Sequence, residues 1–415
     1  MTLGEREAQA PRWFVRSAWS FHSAGQVVFG RGAIAQLGEL VARRKLAKVF
    51  LVTDARLAAA GLVERVVKPL TDAKIATHAF DQGEPEPSIA VAVRAADAAA
   101  RFAPDCLLGL GGGSNMDLAK FAAILVTHGG QPSQYFSFNN VPGPVLPLVC
   151  VPTTAGTGSE VSHAAVLTDT DNHIKVSTLS QFLRPALAVV DPALTDGCPR
   201  QVTADSGIDA LTHAIEAYTA TDFSDLEAAP HEPVAYEGRH PLGMCLAEKA
   251  IALIGEHLVA AVQDGSNQAA RDGMALAATT AGLAFSNCAV ALVHALEYPI
   301  GAVLHCSHGA GNGLLLPHVM RYNLPARIES FAAIARFLGE DVTGLSPRQA
   351  AERAISAVER IAAAIGIPRR IRDLGGTRDQ LPVFAEKAFA IKRLMNTNPR
   401  RPTQDDLLAI LESAF

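Results

Sequence analysis

Residues 106–128 read CLLGLGGGSNMDLAKFAAILVTH, and how this stretch folds decides the architecture of the first half of the chain. The apolar run CLLGLG has the composition of a buried strand, and LAKFAAILV at 118–126 that of a helix. Between them stand Gly111, Gly112 and Gly113, which remove Cβ atoms where a backbone must pass close to another group. Ser114 and Asp117 have the spacing of a capping box at the start of that helix. A strand, a glycine turn and a helix present free N–H groups and a positive dipole end, the arrangement that holds a phosphate. A tight turn leading to a capped helix fits the same residues, since the run is not the GxGxxG fingerprint.

A second polar turn, Thr153-Thr154-Ala155-Gly156-Thr157-Gly158-Ser159-Glu160, comes after the apolar PLVCVP and offers hydroxyls suited to ribose and phosphate oxygens. It reads equally as a turn rich in Ser and Thr that caps the next segment. Asp54 closes KVFLVTD, where a carboxylate can accept from both ribose hydroxyls and repel a 2′-phosphate, favouring NAD over NADP. A solvated strand-end Asp satisfies that position too.

Further strands are expected at KVFLVT, KIATHAF, PLVCVPTT and ALAVVD, separated by Ala-rich helical stretches such as RLAAAGLVERVVKPL. From about Pro199 strand signals almost vanish, and DALTHAIEAYTA, GMCLAEKAIALIGEHLVAAV, AAERAISAVERIAAAIG and DDLLAILESAF are helically periodic. The chain therefore divides into an α/β, Rossmann-like parallel-sheet domain over residues 1–198 and an all-helical domain over 199–415. Residues 222–242 (DFSDLEAAPHEPVAYEGRHPL), with several Pro and a Gly, read as a long surface excursion.

At 415 residues, 49% hydrophobic and 19% charged, the composition is that of an ordinary globular protein large enough for two cores. A net charge of -5 without a Lys/Arg-dense run argues against a nucleic-acid partner. The six cysteines are scattered without a CxxC pair, and the charged opening MTLGEREAQAPRW lacks the apolar run of a signal peptide. No apolar segment approaches the roughly 20 residues a membrane span needs. A cytoplasmic protein acting on small molecules is expected.

Asp209 and His213, four apart in SGIDALTHAIEAY, share one helix face. His294 and His308 are 14 apart, a separation of roughly 21 Å on one straight helix. Pro299 and Gly301 interrupt the pattern between them, so the chain can turn back and bring the two imidazoles together. His305 and Cys306 read as loop neighbours of that turn. Three imidazoles and one carboxylate suit Fe2+ or Zn2+ with a position left open for substrate. Each histidine taken singly, among 13, reads as well as a hydrogen-bonded structural residue.

Together LGLGGGSNMDLAK, VPTTAGTGSEVS, GIDALTHAIEAY and LVHALEYPIGAVLHCSHGAGNGLLLPHVMRYN resemble the iron-containing (group III) alcohol dehydrogenase family over most of the chain. The resemblance implies a nucleotide domain and a helical domain of the dehydroquinate synthase-like architecture, with metal and nicotinamide meeting between them. It implies Asp209, His213, His294 and His308 as metal ligands. Gly112, Gly113, Ser114, Thr153, Thr154, Thr157 and Lys175 fall at its cofactor-contacting positions, and Asp54 at the position associated with NAD. A homodimer is the family-based expectation.

The implied chemistry is hydride transfer between NAD and an alcohol or hydroxyacid whose oxygen is bound by the metal. Tyr298 stands where several family members have a histidine, either as a proton relay or as packing beside the nicotinamide; a phenol of pKa near 10 is a poor base at neutral pH. PVAYEGRHPLG resembles a segment of the hydroxyacid-oxoacid transhydrogenases, which would place Arg239 or His240 against a substrate carboxylate and admit 4-hydroxybutyrate as substrate, while each taken singly reads as an exposed loop charge. Rival readings are a dehydroquinate synthase-like lyase, a polyol-phosphate dehydrogenase and a nucleotide-binding protein without catalysis. The Asp209–His213 pair disfavours the lyase, and the complete ligand set disfavours the last.

Overall fold

A computed structural model describes residues 16–172, 174–228 and 232–415; the opening segment 1–15, on which the absence of a signal peptide was read, lies outside them. Its first half alternates strands and helices: β1 Val27–Phe29, α1 Leu37–Arg43, β2 Lys48–Val52, α2 Ala55–Ala59, α3 Leu62–Asp72, β3 Ala76–Phe80, α4 Ile89–Phe102, β4 Cys106–Gly111 and α5 Gly113–His128. Next come β5 Ser137–Phe138, β6 Leu148–Pro152, β7 Ala164–Asp169, β8 Ile174–Leu179 and β9 Leu187–Val190. Six strands form one parallel sheet in the order β1-β9-β6-β4-β2-β3.

Alternate side chains of each strand enter different cores. Phe50, Leu107 and Leu148 pack with α4 and α5, whereas Val49, Leu51, Leu108, Leu110 and Val149 pack with α1 and α3. A sheet covered on both faces explains why CLLGLG is apolar without alternation. The neighbouring strands β2, β4 and β6 therefore end together, carrying Asp54, the Gly111–Gly113 turn and the Thr153–Gly158 turn to one edge. Open parallel sheets bind ligands at that end.

A second sheet, β5-β8-β7, was not expected. Its strands are short and half polar, AAVLTD pairing antiparallel with IKVSTL, and neither carries a continuous apolar run.

After β9 the principal elements are helices: α6 Arg200–Thr219, α7 Pro241–Gln263, α8 Gln268–Phe285, α9 Leu292–Leu304, α10 His308–Asn323, α11 Ile328–Phe337, α12 Pro347–Ile365, α13 Leu381–Phe389, α14 Lys392–Thr397 and α15 Gln404–Ser413. α6 runs through the middle, enclosed by α7, α8 and α10 and buried over nearly all of Thr203–Thr219. Among the described residues no helix is long and apolar enough to cross a membrane.

Two expectations are corrected here. α9 continues through Pro299 and Gly301, and the chain reverses later, at His305 in the left-handed conformation (φ 52). A proline removes one helical hydrogen bond, but Leu292–Glu297 and Pro299–Gly301 are buried and their packing outweighs that loss. Residues 222–242 are not a surface excursion throughout: Tyr236 and His240 are buried, and the N–H groups of Glu237 and Gly238 bond the carbonyls of Asn287 and Cys288. Residues 229–231, within that stretch, lie outside the described residues. The N-terminal segment covers it, with Arg16 paired to Glu237 at 2.6 Å and Trp19 stacked on His240 at 4.1 Å.

Candidate metal and nucleotide site

Asp209 sits mid-way along α6, His294 in the first turn of α9, and His308 is the first residue of α10. Asp209, His294 and His308 each offer a ligand atom, and these atoms all lie within 4.8 Å of one another. Nε2 of His294 and Nε2 of His308 are each 3.8 Å from Oδ1 of Asp209. Two donors about 2.1 Å from a shared tetrahedral cation stand about 3.4 Å apart, so little movement closes the site. His213 adjoins this cluster, its Nδ1 3.8 Å from Oδ2 of Asp209 and its ring stacked on His294 at 4.8 Å.

α10 reaches α6 through glycines. A Cβ on Gly309 would collide with the Asp205 carbonyl, and one on Gly313 would stand 2.7 Å from Ile208 Cγ1. Without those side chains the two helices come close enough for His308 to face Asp209.

The donor chemistry fits a cation. Nδ1 of His294 bonds Glu216 at 2.7 Å and Nδ1 of His308 bonds Glu297, so carboxylates hold both rings as Nδ1–H tautomers with Nε2 lone pairs facing inward. At the focus lies Nδ2 of Asn312, 2.8 Å from Asp209 Oδ1, 3.1 Å from His308 Nε2 and 3.3 Å from His294 Nε2. An amide nitrogen carries two protons and here meets three acceptors. The buried Nδ1 of His213 and Oδ1 of Asn312 have no hydrogen-bond partner among the described residues. Converging lone pairs short of protons are what a divalent cation satisfies.

Electrostatics agree. Burial raises the Asp209 pKa, but His213, His308 and His294 outweigh it and hold the carboxyl below its ordinary value. Burial pushes His213 down to about 3, leaving a neutral imidazole. His308 is raised: burial lowers it, yet Glu297 and Asp209 favour the charged ring more strongly. Such a ring is poised for a cation in place of its second proton.

The cluster opens on a cavity of about 210 Å³ that reaches the glycine turn. Gly113, Ser114, Asp117, Thr157, Lys175 and Tyr298 line it, with Asp209, His213, His294 and His308 at the end formed by the cluster and Tyr236, Phe285 and Val290 adding an apolar lining. Asp54, Gly111, Gly112, Thr153 and Thr154 are not among the residues that line it. Asp54 caps α2 through the N–H groups of Arg56 and Leu57, and its Oδ2 accepts from Asn115 Nδ2 at 2.7 Å. Thr153 N–H bonds the Gly111 carbonyl at 3.0 Å, and Cβ atoms on Gly112 and Gly113 would meet Thr154 and Thr157. The two turns thus pack on each other, glycine against threonine.

The expected capping box is absent. α5 begins at Gly113 with Gly112 as its cap and no side chain on its first N–H groups, which stay free. Asp117 instead turns inward, accepting from Ser159 Oγ at 2.6 Å and Val166 N–H at 3.0 Å, and burial raises its pKa. The fully buried Lys120 donates to Ser159, Ser162 and Ala164, tying α5 to the cavity wall.

Tyr298 lies with its ring 6.1 Å from that of His308, and burial pushes its phenol above the ordinary value. Arg239 and His240 do not face the cavity. Arg239 pairs with Asp222 at 2.7 Å, and His240 caps α7 by accepting from Gly243 N–H. The expectation that either meets a substrate carboxylate is overturned: one guanidinium is already neutralised and one imidazole is enclosed. His305 is exposed on the turn and Cys306 half-buried beside it, as loop neighbours should be.

Sequence reading missed Glu216, Glu297 and Asn312. Glu216 is seven residues after Asp209, Glu297 three after His294 and Asn312 four after His308, so each shares a helix face with a candidate ligand.

Fold and site together define a metal-dependent oxidoreductase of two parts, a parallel sheet and a helical bundle. Residues 24–192 match the iron-containing alcohol dehydrogenase domain and residues 203–415 the C-terminal domain of the Fe-containing alcohol dehydrogenase family; the chain belongs to this family. It is 37% identical over 388 residues to an NAD-dependent methanol dehydrogenase of Bacillus methanolicus, covering 94% of this chain and 97% of the relative. To a 1,3-propanediol dehydrogenase of Klebsiella pneumoniae it is 39% identical over 389 residues, 93% and 96% of the two chains. The crystal structure of a 1,3-propanediol oxidoreductase superposes with a TM-score of 0.90 at 37% identity, over 96% of this chain and all of that one.

Proposed function

We propose that this protein interconverts a small uncharged alcohol and its aldehyde with NAD, using one divalent cation held by Asp209, His213, His294 and His308. The observation that carries the reading is the convergence of Asp209, His294 and His308 at the floor of a cavity whose other end is the free N-terminus of α5. The bound cation would supply Lewis acidity to the substrate oxygen, and the nicotinamide the hydride acceptor.

The chain's own groups do the rest. N–H groups at Gly113 and Ser114 face the pyrophosphate, with Thr153, Thr154 and Thr157 shaping the turn beside it. Asp54, fixed by Asn115, disfavours a 2′-phosphate. Phe285, Val290 and Tyr236 keep water from the reacting end and favour an apolar substrate tail. Tyr298, protonated through the neutral range, donates a hydrogen bond and does not act as base. Lys175 is the one lysine or arginine among the described residues lining the cavity, and it is already engaged by Glu86 and Glu297, so a hydroxyacid finds no free counter-charge among them.

In this reading residues 1–198 bind the nucleotide and residues 199–415 the metal. Ferrous iron, after the family's description, is the resident cation, with zinc accepted by the same ligands. The protein works as a cytoplasmic homodimer. The test strips the protein with a chelator, restores Fe2+ or Zn2+, and tracks NADH absorbance with NAD and short primary alcohols. Turnover should vanish and return with metal; undiminished turnover in the stripped protein overturns the reading.

A further inference from the structure

The carboxylates behind the two outer histidines are not held alike. Glu216 accepts from the N–H groups of Ala291 and Val293 at 2.7 and 2.6 Å as well as from His294, so backbone fixes it. Glu297 is fully buried and, among the described residues, has no backbone donor; beyond His308 its partner is Nζ of Lys175 at 3.5 Å. A buried carboxylate in that state depends on its counter-charge.

Lys175 comes from β8, in the other half of the molecule, and is itself only 6% exposed. Its ammonium lies between Glu297 and Glu86, 2.9 Å from the latter. The space is shaped for the arrangement: a Cβ on Gly301 would strike the Glu297 carboxylate and stand 3.2 Å from Lys175 Nζ, and one on Gly311 would stand 2.8 Å from Glu297 Cγ. The ligand at the end of this chain is His308, whose side chain is 32% exposed against 3–6% for Asp209, His213 and His294. The loosest ligand is thus the one steadied by a residue from the nucleotide half.

We propose that Lys175 is a positioning residue of the metal site, holding Glu297 against His308 and thereby setting the affinity for the divalent cation. Resemblance to the family implies a cofactor contact for the same residue, and the two roles separate experimentally. The inference rests on the metal-ligand reading above, whose failure shows independently as wild-type protein that takes up no stoichiometric zinc.

The experiment measures zinc affinity by chelator competition and NADH affinity by fluorescence titration on folded, zinc-loaded protein. Lys175→Gln should weaken zinc about tenfold, the lower end for loss of a group that orients a ligand, and change NADH affinity less than about threefold. Lys175→Arg keeps the charge and should stay within about threefold of wild type for zinc. Glu297→Gln should weaken zinc at least as much as Lys175→Gln, and adding Lys175→Gln to it should cost nothing more, because the lysine acts through the carboxylate. Additive losses in the double variant, or a fall in NADH affinity with zinc affinity intact, overturn the proposal. If Lys175→Gln fails to fold, Lys175→Met, which keeps the length and removes the charge, takes its place singly and in combination with Glu297→Gln, with the same outcomes expected and the same outcomes overturning the proposal.

Discussion

Glu216 bonds His294 Nδ1 at 2.7 Å while both of its oxygens also accept backbone N–H groups from the start of α9. One carboxylate therefore orients a proposed metal ligand and caps the helix that carries it. Glu216→Ala leaves two buried N–H groups and an imidazole N–H without acceptors, each worth about 1–3 kcal/mol. We expect a fall of several degrees in Tm together with loss of bound metal on dialysis, measured by scanning calorimetry and elemental analysis. Full metal content in the variant would refute the orienting role.

Gly309 tests how α10 is placed. Its Cβ position is filled by the Asp205 carbonyl, which is backbone and cannot swing aside. Gly309→Ala should push α10 from α6, lower stability by about 1–3 kcal/mol and weaken zinc binding through the displaced His308. Gly197, which has open space around its Cβ position, supplies the control: Gly197→Ala should alter neither urea midpoint nor zinc affinity.

Legibility in the sequence depends on range. The β4–turn–α5 unit and the Asp209–His213 pair are local patterns, and both lie where periodicity and glycine placement put them. Glu216 and Glu297 share helix faces with ligands, yet a charged residue on a helix normally reads as a solvated face, and only the burial of α6 and α9 reveals otherwise. The reversal before His308 was expected at Pro299 because proline disfavours helix locally; tertiary packing overrode that preference. Tyr236 and Lys175 reach the cavity from segments without a local pattern to mark them, Lys175 being singled out by the family resemblance alone, since their meeting with α9 and α10 is a matter of packing between distant segments.

Gly113 probes the nucleotide end. A Cβ there would stand 2.8 Å from Cγ2 of Thr157, a short branched side chain with little room to yield. Gly113→Ala should pry the two turns apart and weaken NADH about tenfold, roughly 1.4 kcal/mol, while zinc affinity holds. Fluorescence titration reads the first and chelator competition the second. Unchanged NADH affinity would remove the turn from the cofactor site.

His240 gives the protein a pH response away from the metal. Its ring is enclosed, stacked on Trp19, and accepts from Gly243 N–H through Nδ1, and burial lowers its pKa to about 4. An unfolded histidine titrates near 6.5, so between that value and about 4 the unfolded chain holds more protons at this residue than the native one. Stability from the neutral ring is therefore complete above about pH 6.5 and is lost as pH falls, by up to about 3 kcal/mol. His240→Asn keeps a side-chain cap for α7 and removes the titration. The stability gap between wild type and variant, from urea unfolding at pH 7 and pH 4.5, should narrow on acidification because groups common to both cancel; a gap independent of pH would show that this imidazole is not held neutral by the fold.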